Sequence, residues 1–131
     1  MTPPVQEQTV TEREATLRKL DAGDVFHATA PNGASLICLT LRATKFSIHA
    51  KRITTQSHHA FDPVTGMEQS EPIPSIIDSV ARLPPDILEA LLGLDRVYSR
   101  GWQEEHHKLT SEEKRALLFI GGFYRAHPLP G

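Results

Sequence analysis

Two periodicities divide the chain. Between residues 25 and 56 apolar and polar positions alternate, and from residue 85 onward apolar positions recur every three to four. The first pattern predicts strands. Val25 to Ala30 is followed by Pro31-Asn32-Gly33, a hairpin turn signal, then by Ser35 to Arg42. A short Ala43-Thr44 connection leads into a third run, Lys45 through Gln56. In the third run Phe46, Ile48 and Ala50 share a face, opposite Lys45, Ser47, His49 and Lys51. In the second, Ile37, Leu39 and Leu41 oppose Leu36, Cys38, Thr40 and Arg42, so its first half is expected to be buried on both sides. In the first, Phe26, Ala28 and Ala30 oppose Val25, His27 and Thr29. The expectation is a three-stranded antiparallel meander with one apolar face and one mixed, basic face.

Helices are expected on either side. Thr11-Glu-Arg-Glu14 has capping-box spacing and opens a short helix through Leu20, ended by Asp21-Ala-Gly-Asp24. Phe61-Asp-Pro-Val-Thr-Gly66 reads as a turn, and Glu71-Pro-Ile-Pro74 does not suit a central strand. Ser75 to Ala81 is a further candidate strand. Pro85 suits a first helical turn, and Ile87, Leu91, Leu94 and Tyr98 form a core-facing stripe closed by Gly101. After a polar connection from Trp102 to Leu109, Thr110-Ser-Glu-Glu113 opens a last helix through about Ile120, which Gly121-Gly122 is expected to end or kink. These elements predict an α+β fold: a small antiparallel β-meander or partly closed barrel, preceded by a short helix and covered by two C-terminal helices. The predicted division is a flexible tail over 1–10, one domain over 11–126 and a C-terminal tail over 127–131. The predicted core is Phe26, Ile37, Leu39, Leu41, Phe46, Ile48, Ile87, Leu91, Leu94, Leu117 and Ile120.

Composition narrows the class. At 131 residues, 39% hydrophobic and 23% charged, the chain is long enough for one core and too apolar to remain unfolded. Its one cysteine, Cys38, allows no intrachain disulfide and no Cys-rich zinc site. The first residues lack the basic and apolar regions of a secretory leader, and the longest near-apolar run, Ala116 to Tyr124, is far short of the ~20 residues of a membrane span. A cytoplasmic location is expected. Net charge is only −2, but it is segregated. Residues 25–61 carry Arg42, Lys45, Lys51 and Arg52, four of the seven histidines and no acid. Residues 62–95 carry seven acidic groups against Arg82 alone. The simplest reading is that the two segments attract each other within one fold.

The chemistry-bearing motifs of nucleotide-binding proteins, serine hydrolases, zinc proteases and EF-hands are absent. No cofactor is expected and no resident metal. A metal- or acid-dependent hydrolase would have to draw on His27, His49 and Asp78, the last flanked by Ile76, Ile77 and Val80. Cys38, between Ile37 and Leu39, reads as a buried inert thiol. Arg42, Lys45, His49, Lys51 and Arg52 form a basic sheet face able to neutralise phosphates, although no aromatic interleaves them for base stacking. Arg96 and Arg100 lie one turn apart near Trp102, residue types that dominate protein interfaces. The leading expectation is therefore a small non-enzymatic binding or regulatory module acting through a protein partner at Arg96, Arg100 and Trp102. Nucleic-acid binding by the basic face is the alternative and the hydrolase a third reading. No membrane partner is expected.

Overall fold

The computed structural model describes residues 10–101 and 107–130. Its elements run α1 (Glu12–Leu17), β1 (Val25–Thr29), β2 (Ser35–Ala43), β3 (Ile48–Arg52), β4 (His58–Phe61), β5 (Ile76–Ser79), α2 (Pro85–Tyr98) and α3 (Ser111–Ala126). The five strands form one antiparallel half-barrel sheet in the order β4-β3-β2-β1-β5, so the α+β architecture expected from the sequence is the one observed. No described helix is long and apolar enough to cross a membrane.

Local chemistry sets the connections. At the β1–β2 turn, the Ala34 N–H donates to Asn32 Oδ1 at 3.0 Å and Gly33 takes φ +87°, a backbone that suits glycine. Thr11 caps α1 by accepting the Glu14 N–H, and Thr110 and Glu113 cap α3 reciprocally. Pro85 occupies the first turn of α2, where its missing N–H leaves no bond unmade.

Both faces of the sheet are buried. Phe26, Ala28, Leu36, Cys38, Ile48, Ala50, Phe61 and Ile77 line the inside of the curl and pack against Leu17 and Leu20, at the end of α1 and just beyond it. The opposite face carries Val25 and Ile37, with Leu39 partly buried, against Leu91, Leu94 and Tyr98 of α2 and Ile120 and Tyr124 of α3. The C-terminal helices thus cover the face of Val25 and Ile37 and not that of Phe26 and Ile48, which α1 closes.

Three sequence expectations are corrected. Phe46 was placed in the core but is 74% exposed. β3 begins only at Ile48, because the Thr44 hydroxyl accepts the N–H groups of Phe46 and Ser47 and holds residues 44–47 in a turn. Leu41, also placed in the core, is 41% exposed. The β2–β3 register passes from Thr40↔Ala50 to Arg42↔His49, so Leu41 is the extra residue of a β-bulge. Finally, α3 continues through Gly121-Gly122 to Ala126, since Ile120 and Tyr124 on its inner face are both buried. β4 and the strand character of Ile76–Ser79 complete the sheet; β4 carries no alternation of its own that would announce it.

Both outer edges of the sheet are covered. The Leu129 N–H donates to the Asp78 carbonyl at 2.7 Å and Arg13 Nη2 to the Ile77 carbonyl at 2.9 Å, along β5. The Gln69 N–H donates to the Ala60 carbonyl at 2.8 Å along β4. Such cover removes the open backbone that would pair with another chain.

Candidate functional site

A groove of about 560 Å³ lies where three connections meet. One wall is the end of α1 and the turn after it, with Thr16, Lys19 and Leu20. The second is the β5–α2 connection, Val80 to Leu83, with Leu88 beyond it. The third is His127 to Pro130, tied down by the Leu129 bond and by Ser79 Oγ, which donates to the His127 carbonyl at 2.6 Å. Leu20, Val25 and Leu83 form a buried apolar floor. Lys19 and Arg82 stand exposed at the rim, and neither has an ion-pair partner among the described residues. Asp24, the one acid among the described residues of the lining, accepts the Asp21 N–H at 2.8 Å. The His127 Nδ1–H donates to the Phe123 carbonyl at 2.8 Å, which leaves Nε2 as the ring's outward nitrogen. This groove had no signal in the sequence, because it is assembled from turns and a terminal segment that carry no periodicity.

A second cluster joins two of the three residues of the hydrolase expectation. The β1–β5 register skips from His27↔Ser79 to Ala28↔Ile77, leaving Asp78 as a bulged residue. Its carboxylate accepts His27 Nδ1–H at 2.5 Å and the Thr29 hydroxyl. Burial works to raise the Asp78 pKa, but the His27 and Thr29 bonds outweigh it and hold the carboxyl below its usual range. The His27 ring lies 5.4 Å from that of Tyr124 and is nearly covered. The Tyr124 hydroxyl is buried with no partner among the described residues, and burial, with the Cys38 and Asp78 charges, raises its pKa. His49 does not join this pair; it lines a different cleft. Among the described residues no three His, Cys, Asp or Glu side chains are placed to hold a metal ion.

That different cleft, about 480 Å³, lies across β2, β3 and β4 and is lined by Leu41, Arg42, His49, Ala50, His58, His59 and Ala60. Of the proposed basic face, Arg42 and His49 are cross-strand partners here. Lys45 stands in the preceding turn, its Nζ 6.0 Å from the Phe46 ring centroid. Lys51 is engaged elsewhere, 3.0 Å from Asp95 of α2, and Arg52 Nη2 donates to the Ser35 carbonyl at 3.2 Å while its Nε is buried without a partner among the described residues. His58, not singled out with that face from the sequence, is part of the cleft; its place in the acid-free stretch was the available signal. Arg96 and Arg100 are exposed at the end of α2, and Trp102 lies outside the described residues.

Comparison with family models, with curated proteins and with solved structures finds no match to this chain.

Proposed function

We propose that the domain is a binding module whose groove takes an extended, mainly apolar segment of a partner protein bearing an acidic side chain. The observation that carries this reading is the combination in one concavity of a buried apolar floor, Leu20, Val25 and Leu83, with two rim cations, Lys19 and Arg82, that have no ion-pair partner among the described residues. Recognition pockets have this make-up: apolar lining for affinity and a few polar groups for orientation. Covering the floor with one large apolar side chain contributes about 1.5–3 kcal/mol, and a carboxylate between the cations fixes the direction of the segment. Arg96 near the end of α2 and Arg100 just beyond it, both exposed, would then extend the contact or serve a separate one.

The experiment is selection of displayed random peptides on the full chain, with Lys19→Glu/Arg82→Glu as the counter-selection target. Enrichment of sequences pairing Leu, Ile or Phe with Asp or Glu, and their loss on the charge-reversed variant, supports the groove. Failure to enrich any sequence over the variant overturns it.

A further inference from the structure

We propose that the cleft across β2, β3 and β4 is an oxyanion site, formed by Arg42, His49 and His58, that takes a phosphate group. It is independent of the groove and shares no residue with it.

The argument begins with where the positive groups of residues 25–61 go. His27 bonds to Asp78, His59 Nδ1 lies 2.7 Å from Glu68, and Lys51 lies 3.0 Å from Asp95. Each is matched by a carboxylate of the acidic stretch. Arg52 is taken up by the Ser35 carbonyl. Arg42, Lys45, His49 and His58 are left, and none has an ion-pair or hydrogen-bond partner for its side chain among the described residues. Lys45 stands in the turn before β3, whereas Arg42, His49 and His58 line the same cleft, and no carboxylate among the described residues lines it.

The backbone explains why they converge. Without the bulge at Leu41, Arg42 would follow Cys38 and Thr40 onto the buried inner face. The extra residue reverses the alternation and sets Arg42 directly opposite His49, at a Cβ separation of about 5 Å for such pairs. His49 in turn pairs with Ala60, and His58 stands two residues from Ala60 on the same face of β4. Ala60 provides the space: a methyl side chain between two imidazoles and a guanidinium leaves a pocket floor.

The chemistry selects a compact oxyanion. A guanidinium presents parallel N–H donors matched to phosphate, and each imidazole adds one more donor. Among the described residues no aromatic ring other than histidine lines the cleft, so the phosphate is recognised and not a stacked base. The charged neighbours of His49 are Arg42 and His58 within the cleft; Lys51 beyond His49 on β3 is paired with Asp95, and His59 with Glu68. Histidine changes charge between about pH 5 and 8, so a site with two of them holds an anion of fixed charge more tightly as pH falls.

The test is NMR titration of the ¹⁵N-labelled full chain with inorganic phosphate, with sulfate, whose charge is constant over this pH range, and with a single-stranded oligonucleotide. Saturable shifts centred on Arg42, His49 and His58 are expected, with sulfate binding several-fold tighter at about pH 6 than at about pH 7.5. Arg42→Ala and His49→Gln should each weaken binding about tenfold while the rest of the spectrum is retained. Lys19→Glu/Arg82→Glu should leave it unchanged. An oligonucleotide that binds far more tightly than phosphate, with steep loss in salt, identifies nucleic acid as the source of the phosphate. One that binds no better than phosphate identifies a small phosphate ester. Absence of saturable shifts at these residues for every anion, or binding indifferent to both substitutions, overturns the site.

Discussion

Lys51 Nζ on β3 lies 3.0 Å from Asp95 Oδ1 on α2, and Gln56 Nε2 donates to the same oxygen at 2.8 Å. Both charged side chains are largely covered, at 16% and 10% exposure. The contact ties the open half of the sheet to the middle of the helical layer. Removing one partner strands the other charge in a poorly hydrated place, which costs about 3 kcal/mol at such sites. Lys51→Ala is therefore expected to lower the unfolding free energy read from a urea titration by that order, and Lys51→Met/Asp95→Leu to recover most of the loss. If the double variant is no more stable than the single one, the pair is not what Lys51 contributes.

The acid limb of the stability profile follows from two carboxylates. At Glu113 burial works to raise the pKa, but the Thr110 N–H at 2.9 Å and His107 Nε2 at 2.8 Å outweigh it and leave the pKa lowered. Asp78 is lowered likewise by His27 and Thr29. A carboxyl whose folded pKa is depressed contributes stability that is complete above its unfolded value and is lost as pH falls through the folded one. With ordinary values of 4.5 and 3.8 for the two groups, stability should hold down to about pH 5 and fall below it. Urea midpoints across that range should show the fall in the natural chain and a flatter profile in Asp78→Asn and Glu113→Gln. Equal slopes in all three would mean that other carboxylates dominate.

Much of the fold is legible in the sequence because its signals are local. The Thr11 and Thr110 caps, the Asn32-Gly33 turn and the Ile87-Leu91-Leu94-Tyr98 stripe each act within a few residues and appear where the pattern puts them. Phe46 failed for a local reason, the Thr44 turn, but the other misreadings depend on partners distant in sequence. A bulge at Leu41 is defined by the strand opposite it, so alternation along β2 alone misassigns both Leu41 and Arg42. Helix α3 passes Gly121-Gly122 because Tyr124 is buried against the sheet. The segregated charge was visible, but which groups cancel was not. Lys51 meets Asp95 across 44 positions of chain, and only that pairing together with His27–Asp78 and His59–Glu68 shows that Arg42, His49 and His58 are left without a carboxylate in one cleft.

Cys38 is fully enclosed on the inner face of β2. Burial pushes its thiol up to about 12, with Arg52 opposing and Glu68 adding to the shift. A thiol in that state holds almost no thiolate near neutral pH and is a poor nucleophile. A colourless-to-yellow disulfide reagent at about pH 8 should therefore titrate no thiol in the native chain and one in denaturant. Rapid reaction of the native protein would contradict the packing around Phe26 and Cys38.

Gly121 and Gly122 lie inside α3 on its exposed side, and a Cβ built at either meets no atom within 4 Å. Glycine in a helix interior costs roughly 0.5–1 kcal/mol relative to alanine, chiefly in backbone entropy. Nothing among the described residues uses their small size, so Gly121→Ala and Gly122→Ala should each stabilise by about that amount and raise the melting temperature by a few degrees. Gly66→Ala is the opposing control. There φ is +79°, and a Cβ would lie 3.0 Å from Arg13 Nη2 and 3.3 Å from Ile77 Cβ. That substitution strains the backbone and presses on the Arg13 contacts that hold α1 against β5, so it should destabilise by more than about 1 kcal/mol. Differential scanning calorimetry of the three variants separates the cases by sign, and a loss at Gly121 or Gly122 would contradict the open placement of this side of α3.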